Sequence, residues 1–460
     1  MKVAKFGGSS VASAEKFKQV AHIVTSDKER KLVVVSAPGK RYGEDTKMTD
    51  LLIALSAKIQ LGEDYVDEFG QVIDRYREIV VDLSMPETII TDIITNLQSL
   101  IDLHKNDPFR LLDCLKASGE DNNAKVMASY LNHLGFEAHY VNPKEAGIFV
   151  SDEPGRARVL PLSYEKLPQL RERSGILVIP GFFGYSEEGN MVTFSRGGSD
   201  ITGSIVAAGV KADLYENFTD VDAIYSVDPR LVEKPHEMKE VTYREMRELS
   251  YAGFSVFHDE ALEPVYKLGI PVCVKNTNNP EAKGTFIVAE RPYGDTPVVG
   301  IAGDKGFCNI HVSKYLLNRE IGFGRRLLEI LEDEGISYEH TPSGIDNISV
   351  IMREHQLTPD VEKRVFARIE KELEVDEIFI ERDLAMVMVV GEGMNSTVGI
   401  AAKATEAFAR AEVNLEMINQ GSSEVSMMFG VKADALDRAV QALYNTYFNS
   451  MYSISYSNVK

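Results

Sequence analysis

An α/β fold with a largely parallel sheet, followed by a duplicated α+β module, is what the 460 residues predict. Three observations carry this expectation. Short apolar runs hand over to helical patterns through glycine-bearing turns, which is how parallel strands and their crossover helices read in a sequence. Residues 60–135 read as mostly helical. The last third of the chain repeats itself at a shift of 77 residues.

The elements follow in order. Residues 2–6 alternate polar and apolar side chains before Gly7-Gly8-Ser9-Ser10, after which Phe17, Val20, Ala21 and Val24 recur at helical spacing. Leu32-Val33-Val34-Val35 is a continuous apolar strand that ends at Ser36-Ala37-Pro38-Gly39, and a polar loop leads to a helical pattern from Thr49-Asp50. Strands recur at Gly175 to Ile179, Met191 to Phe194 and Ala212 to Tyr215, and the unit closes near Ile287-Val288-Ala289. Ligands in such a sheet sit at the carboxyl ends of the strands. Beyond it, Ile336-Ser337-Tyr338-Glu339 lines up with Val413-Asn414-Leu415-Glu416, Gly344 with Gly421, and Ile310 with Val387. Each copy reads strand, helix, strand, strand, helix, strand, the split βαβ pattern of small ferredoxin-like modules. Such a pair fits either ligand sensing or support for oligomerisation.

Composition narrows the function classes. Length points to two or three domains. The formal net charge is -20 with no basic block, which argues against nucleic acid or an anionic membrane as partner. Cys114, Cys273 and Cys308 lack CxxC spacing, so neither a disulfide framework nor a thiolate metal site is indicated, and a reducing cytoplasm is expected. The start Met1-Lys2-Val3-Ala4-Lys5 lacks the apolar core of a signal peptide, and no later apolar run is long enough for a bilayer.

Two glycine turns carry the candidate chemistry. Backbone N–H groups between a strand and a helix converge where the helix N-terminus adds partial positive charge, so Gly7-Gly8-Ser9-Ser10 suits phosphate oxygens. Taken alone, the turn also reads as a tight turn with no ligand. Lys5, near the end of the first strand, adds an ammonium suited to a transferring phosphoryl group. In Phe194-Ser195-Arg196-Gly197-Gly198-Ser199-Asp200, Arg196 offers a planar fork for a carboxylate and Asp200 suits orientation of Lys5 or of a metal-bound water, while the two also read as a local ion pair. There is no GxxxxGK[ST] and no HRD or DFG pattern, so neither a Walker P-loop nor a protein-kinase site is present.

Lys5-Phe6-Gly7-Gly8-Ser9-Ser10-Val11, Ser195 to Asp200, and Phe218-Thr219-Asp220-Val221 through Tyr225 to Asp228-Pro229-Arg230 together resemble the three signature segments of aspartate kinases, in the amino acid kinase superfamily. The resemblance covers nearly the whole chain, because kinases of this type continue into two ACT domains where the repeat lies. It implies an amino acid kinase domain over 1–290, then ACT domains over 297–380 and 381–460. It implies transfer of the γ-phosphate of ATP to the side-chain carboxylate of L-aspartate, with Mg²⁺. Lys5, Gly7, Gly8 and Ser9 would then hold phosphates, and Lys5 with Asp200 would be catalytic. Thr219, Asp220, Tyr225 and Arg230 would contact the nucleotide. Aspartate would meet Arg196 and Ser199, Glu120 at its amino group, and Ser36 and Thr49 at its reacting carboxylate. Without the family, Glu120 also reads as an N-terminal helix residue favoured by the dipole.

In the tail, the resemblance implies an amino-acid effector such as lysine, met by Arg319, Phe323, Gly324, Ser337, Tyr338, Glu339, Asp346 and Asn347, in a homodimer or homotetramer joined through ACT domains. Acids such as Glu339 and Asp346 also read as solvated surface. One stretch departs from the family: where many members have Gly-Ala-Lys-Val-Leu-His-Pro, this chain has Gly253-Phe254-Ser255-Val256-Phe257-His258-Asp259, and Ser255 stands in the place of a lysine. Lys40, Arg41 and Lys47, in a loop basic at both ends, are the candidates to compensate. The rival readings are another small-carboxylate kinase, such as a glutamate kinase, and an inactive amino-acid-sensing regulator. A fused homoserine dehydrogenase is not expected, because the chain ends soon after the second repeat.

Overall fold

The computed structural model describes residues 1–195, 197–254, 257, 259–293, 297–421 and 425–449. Two compact units emerge: Met1–Ile224 with Glu237–Arg247 and Ser255–Arg291, and Tyr225–His236 with Glu248–Phe254 and Pro292–Lys460.

In the first unit the glycine-turn pattern becomes strand and crossover helix. The strands are β1 (Lys2–Phe6), β2 (Arg30–Val35), β3 (Ala138–Tyr140), β4 (Ile176–Pro180), β7 (Leu214–Thr219), β8 (Glu240–Thr242), β9 (Val272–Asn276) and β10 (Thr285–Val288). They form one sheet in the order β3-β4-β2-β1-β7-β9-β10-β8. Only the β9–β10 pairing is antiparallel. The inner strands are buried on both faces, so β2 reads as an unbroken apolar run instead of an alternation.

The predicted helical stretch is α2 (Met48–Leu61), α3 (Val66–Asp82), α4 (Thr88–His104) and α5 (Pro108–His133), which follow α1 (Ala14–Ser26). These helices pack Leu52, Tyr76, Leu97 and Leu131 against Phe6, Val33 and Val35. Gly119 lies inside α5 because a Cβ there would stand 3.0 Å from Ala37 and 3.1 Å from Leu52. That close approach brings α5 against the loop after β2. Short helices α6 (Pro143–Ala146) and α7 (Pro161–Lys166) precede α8 (Gly198–Gly209), and α9 (Tyr243–Tyr251) and α10 (Glu263–Tyr266) follow.

One strand expected in the main sheet lies elsewhere. β6 (Met191–Thr193) pairs antiparallel with β5 (Phe183–Tyr185) as a separate two-stranded sheet. It is only three residues long. Its Thr193 amide and hydroxyl both donate to the buried Asp113 of α5, at 3.0 and 2.8 Å, where a neighbouring strand would otherwise bond.

The second unit is built on a five-stranded antiparallel sheet in the order β12-β11-β13-β15-β14. Its strands are β11 (Gly300–Ser313), β12 (Asn347–Arg353), β13 (Glu377–Val390), β14 (Met417–Gln420) and β15 (Ser426–Lys432). Its helices are α11 (Phe323–Asp333), α12 (Pro359–Leu373), α13 (Ile400–Arg410) and α14 (Leu436–Phe448). The two copies are not consecutive segments. β11 and β13 are long strands interrupted at Gly306 (φ 87°) and Asp383 (φ 57°), both in the left-handed region. Phe307–Ser313 pairs with Glu377–Leu384, and Ile310, Val312, Leu327 and Ile369 form the first core. Gly300–Lys305 pairs instead with Ala385–Val390, and Ile301 packs with Val387, Phe408 and Leu443 in the second core. The residues that the 77-residue shift would align with Glu377 onward lie past Asn449, outside the described residues.

Gly203 on α8 faces the fully buried Tyr215 of β7, and a Cβ there would overlap the phenol ring. Gly203→Ala is therefore expected to lower stability by about 1–3 kcal/mol through overpacking, read as a drop in the urea midpoint with an unchanged slope.

Candidate active site

Lys5 and the turn after it occupy the carboxyl end of β1, at the middle of the sheet. Phe6 stacks on Phe218 of the neighbouring β7 with ring centroids 4.8 Å apart. The Gly7 amide donates to the Phe218 carbonyl at 3.1 Å, so the turn leaves the sheet in register with both neighbours. On the other side the Gly39 amide donates to the Gly8 carbonyl at 2.9 Å. A Cβ on Gly39 would stand 2.5 Å from the Gly8 carbonyl carbon, so the two loops meet backbone to backbone.

Lys5 is only 6% exposed. Its ammonium lies 2.5 Å from Asp200 Oδ1, and Asn217 Nδ2 donates to the same oxygen at 2.7 Å. Asp200 is in the first turn of α8, whose preceding Gly197 takes a left-handed φ of 78°. A buried cation needs such a partner. This is the pairing expected of Asp200, and it ties the two glycine turns together.

The cleft above this pair has a volume of about 880 Å³ and is lined by Lys5, Gly7, Gly8, Ser9, Ser36, Lys40, Lys47, Thr49, Lys116, Glu120, Ser199, Asp200 and Asp220, among others. Thr49 comes from the first turn of α2. The Ser36 carbonyl is held by Asn123 Nδ2 at 2.7 Å. Glu120 is 5% exposed, and its Oε2 has no hydrogen-bond partner among the described residues. Burial pushes its carboxyl up to about 8, against the pull of the Ala37 amide, Lys116 and the Ser199 hydroxyl.

Some expected residues are placed differently. Thr219 ends β7, and its hydroxyl donates to Asp220 at 3.2 Å. Tyr225 and Arg230 fall in Tyr225–His236, which belongs to the second unit, and Arg230 clamps Asp228 through Nε and Nη2. Arg41 differs from Lys40 and Lys47. Its guanidinium is taken up by Asp45 and Glu78, so it is not a free ligand for the cleft. Arg196 and Ser255 lie outside the described residues.

Among residues the sequence reading missed, Lys116 stands one turn before Glu120 on α5 and lines the cleft. Its ammonium meets Thr193 Oγ1 at 3.1 Å and lies 5.4 Å from the Phe182 ring centroid. The signal was the spacing Asp113, Lys116, Glu120, which places three charges on one helix face. Cys114, Cys273 and Cys308 are buried, with thiols pushed up to about 12, 12 and 11 by desolvation, so none is a ready nucleophile.

The expected effector residues separate along β12. At its start, Asp346 accepts from the Leu316 amide at 2.9 Å, near Arg319, and Gly324 lies in the first turn of α11. Past its other end, Ser337 bonds Gln356, and Glu339 takes the Tyr251 hydroxyl and lies 3.6 Å from Arg353 Nε. Phe323 cannot offer its ring to a ligand: it is buried in the first core, because it begins the apolar stripe of α11 that runs through Leu327 and Ile330. Tyr338 is exposed, and Asn347 packs against Gly344.

The amino acid kinase family model matches residues 1–276, and an ACT-domain model matches residues 387–447. Aspartokinase 3 of Bacillus subtilis is 58% identical over 449 residues, which cover 97% of this chain and 99% of that protein. The chain belongs to the aspartokinases. The aspartate kinase of Clostridium acetobutylicum, 40% identical, superposes with a TM-score of 0.85 over 97% of this chain and all of that one. Escherichia coli aspartokinase III, solved with aspartate and ADP, is 25% identical with a TM-score of 0.80 over 98% of this chain and all of that one. As an aspartokinase, the chain is a kinase and not a glutamate kinase or an inactive regulator.

The raised Glu120 has a pH signature. Between the ordinary carboxylate value of 4.5 and about 8, folded Glu120 keeps a proton that the unfolded chain has released. Its contribution to stability therefore falls as pH rises through that window. Glu120→Gln is expected to raise Tm relative to the parent, with the gap growing up to about pH 8 and level above it, measured by thermal melts from about pH 6 to about pH 9.

Proposed function

We propose that the cleft transfers the γ-phosphate of ATP in line to the β-carboxylate of L-aspartate, giving 4-phospho-L-aspartate. The observation that carries this assignment of roles is the buried Lys5–Asp200 pair at the meeting of the two glycine turns. Gly7, Gly8 and Ser9 receive the phosphates on a strand-to-helix turn, where N–H groups suit oxyanions. Lys5 offsets the charge that spreads over the transferring group, and Asp200 holds its ammonium in place. The nucleophile is already an anion at neutral pH, so the site needs no general base; its task is alignment and suppression of charge repulsion.

Glu120 takes the substrate ammonium. Its buried Oε2, unpaired among the described residues, is suited to one, and a bound cation favours the ionised carboxylate over the proton that burial imposes. Ser199, Ser36 and Thr49 flank the reacting carboxylate, and Arg196 by resemblance holds the α-carboxylate. Lys40 and Lys47 line the cleft and supply positive charge to the nucleotide in a chain that has Ser255 where relatives of this pattern carry lysine.

A kinase acting on ATP requires a divalent metal, for which we propose Mg²⁺. No group of three or more His, Cys, Asp or Glu among the described residues is arranged to hold a metal. The residues present fit a metal that would be bound mainly through nucleotide oxygens, with Asp220 as one of the cleft carboxylates in no ion pair among the described residues. A metal bound there would supply Lewis-acid charge withdrawal from the phosphates.

The tandem modules are proposed to sense an amino acid, lysine first, with Asp346 as the acidic contact; Glu339 is at the other end of β12, engaged by Tyr251 and Arg353. β14 is an outer strand of its sheet and exposes Ile418, whereas the outer edge of β12 is bonded to Glu339 to Gly344 of the same chain; an edge like that of β14 invites pairing with a second copy, which supports a homo-oligomer. No helix among the described residues is long and apolar enough to cross a membrane. Three buried free thiols suit a reducing cytoplasm.

Two measurements test these roles. Hydroxylamine trapping with Mg²⁺ and ATP is expected to yield aspartyl hydroxamate, with none from glutamate; Lys5→Met should cut kcat by about 10²–10³-fold, and near-normal turnover would remove Lys5 from the mechanism. Isothermal titration with lysine is expected to give saturable heat that Asp346→Asn weakens, whereas silence with lysine, threonine and methionine would remove the sensing role.

A further inference from the structure

Arg75 is a charged residue on α3 that is only 4% exposed and has no place in the chemistry above. Its Nη1 donates to Asp45 Oδ2 at 2.6 Å, and its Nη2 donates to the carbonyl of Gly39. Asp45 is itself 8% exposed and receives three further bonds from Arg41: its amide at 2.8 Å, Nε at 2.9 Å and Nη2 at 2.9 Å. These cations hold the Asp45 carboxyl far below the usual carboxylate range. Arg41 also reaches Glu78, one turn beyond Arg75 on α3. The loop from Gly39 to Lys47 is thus fastened to α3 from within.

What the loop carries gives this network its meaning. Gly39, held by Arg75 through its carbonyl, donates its amide to Gly8 of the phosphate turn at 2.9 Å. The loop ends in Lys47, just before the helix that carries Thr49, and the Met48 amide closes on the Pro38 carbonyl at 3.0 Å. Next to Arg75, the Tyr76 hydroxyl donates to the carbonyl of Gly119 at 2.8 Å, directly before Glu120. Adjacent residues of one helix therefore brace both sides of the cleft.

Stability alone is a poor account of such a pair. Replacing buried ions by packed apolar side chains is often neutral or stabilising, whereas two charge-assisted bonds in fixed geometry select one loop conformation. We infer that Arg75, acting through Asp45 and the Gly39 carbonyl, is a positioning residue that sets the loop bearing Lys40 and Lys47 against the phosphate turn and so governs affinity for the nucleotide. This rests on the proposed contact of Lys47 with the nucleotide, and the test separates the two.

The test is steady-state kinetics of the full chain with Mg²⁺, ATP and aspartate for Arg75→Met, Arg75→Lys, Lys47→Ala and the double variant Arg75→Met/Lys47→Ala, with thermal melts alongside. Arg75→Met is expected to raise the KM for ATP about tenfold, with a smaller change in kcat. Arg75→Lys, which keeps the charge but loses the fork, should recover part of this. In the double variant the rise in KM for ATP should fall short of the product of the two single effects, because a lysine already absent cannot be misplaced while Lys40 still can. Unchanged KM in Arg75→Met, or losses that multiply in the double variant, would overturn the inference. An unchanged KM in Lys47→Ala would instead remove the nucleotide role of Lys47 and leave Arg75 to be judged on its own KM. If Arg75→Met does not fold, Asp45→Asn breaks the same pair from the loop side, and unchanged KM there overturns the inference equally.

Discussion

A lysine buried in the middle of a parallel sheet must be paired, and much of the catalytic unit follows from meeting that demand. Lys5 sits where β1 ends, so its partner has to come from a helix whose N-terminus points at the same spot. Asp200 in the first turn of α8 fills that role, and Asn217 on the adjacent strand holds the carboxylate in place. Fixing Asp200 fixes the turn before it, where Gly197 is left-handed and Ser199 packs on Gly181 so closely that a Cβ on the glycine would lie 2.7 Å away. The same requirement fixes the turn after β1, because Lys5 and Gly7 share a strand end. Two glycine turns from distant parts of the chain are thereby clasped across one ion pair.

The cleft balances opposite electrostatic demands. Its substrates are anions, and the chain as a whole carries a net charge of -20, so favourable potential has to be local. Lys5, Lys40, Lys47 and Lys116 provide it. Glu120 stands among them as a desolvated acid that leans towards its neutral form. An amino acid brings both signs, and the cleft presents both, lysines together with a buried carboxylate.

The sequence made the frame of this site readable because the signals were local. A strand, a pair of glycines and a helix occur within about twenty residues, so Lys5, Gly7, Gly8, Ser9 and Asp200 could be placed from residue type and spacing, and the helices over 60–135 from their length. Contacts between distant residues were harder to read. Lys40, Arg41 and Lys47 look equivalent in a string of letters, yet only Arg41 is neutralised by Asp45 and Glu78. Arg75 meets Asp45 from another element, and no local pattern announces the pair. Phe323 is legible as core from the apolar stripe of α11, although the resemblance implies it as an effector contact. The hairpin β5–β6 escaped because three-residue strands carry too little alternation, and Gly300–Lys305 has the same apolar character whichever copy it joins.

That last strand bears on how such a protein can be recombined. Because β11 and β13 each run through both cores, a crossover at the apparent seam near residue 380 would cut β13, the central strand that both cores share. An exchange that keeps both cores whole therefore has to carry the two halves together, from β11 through α14.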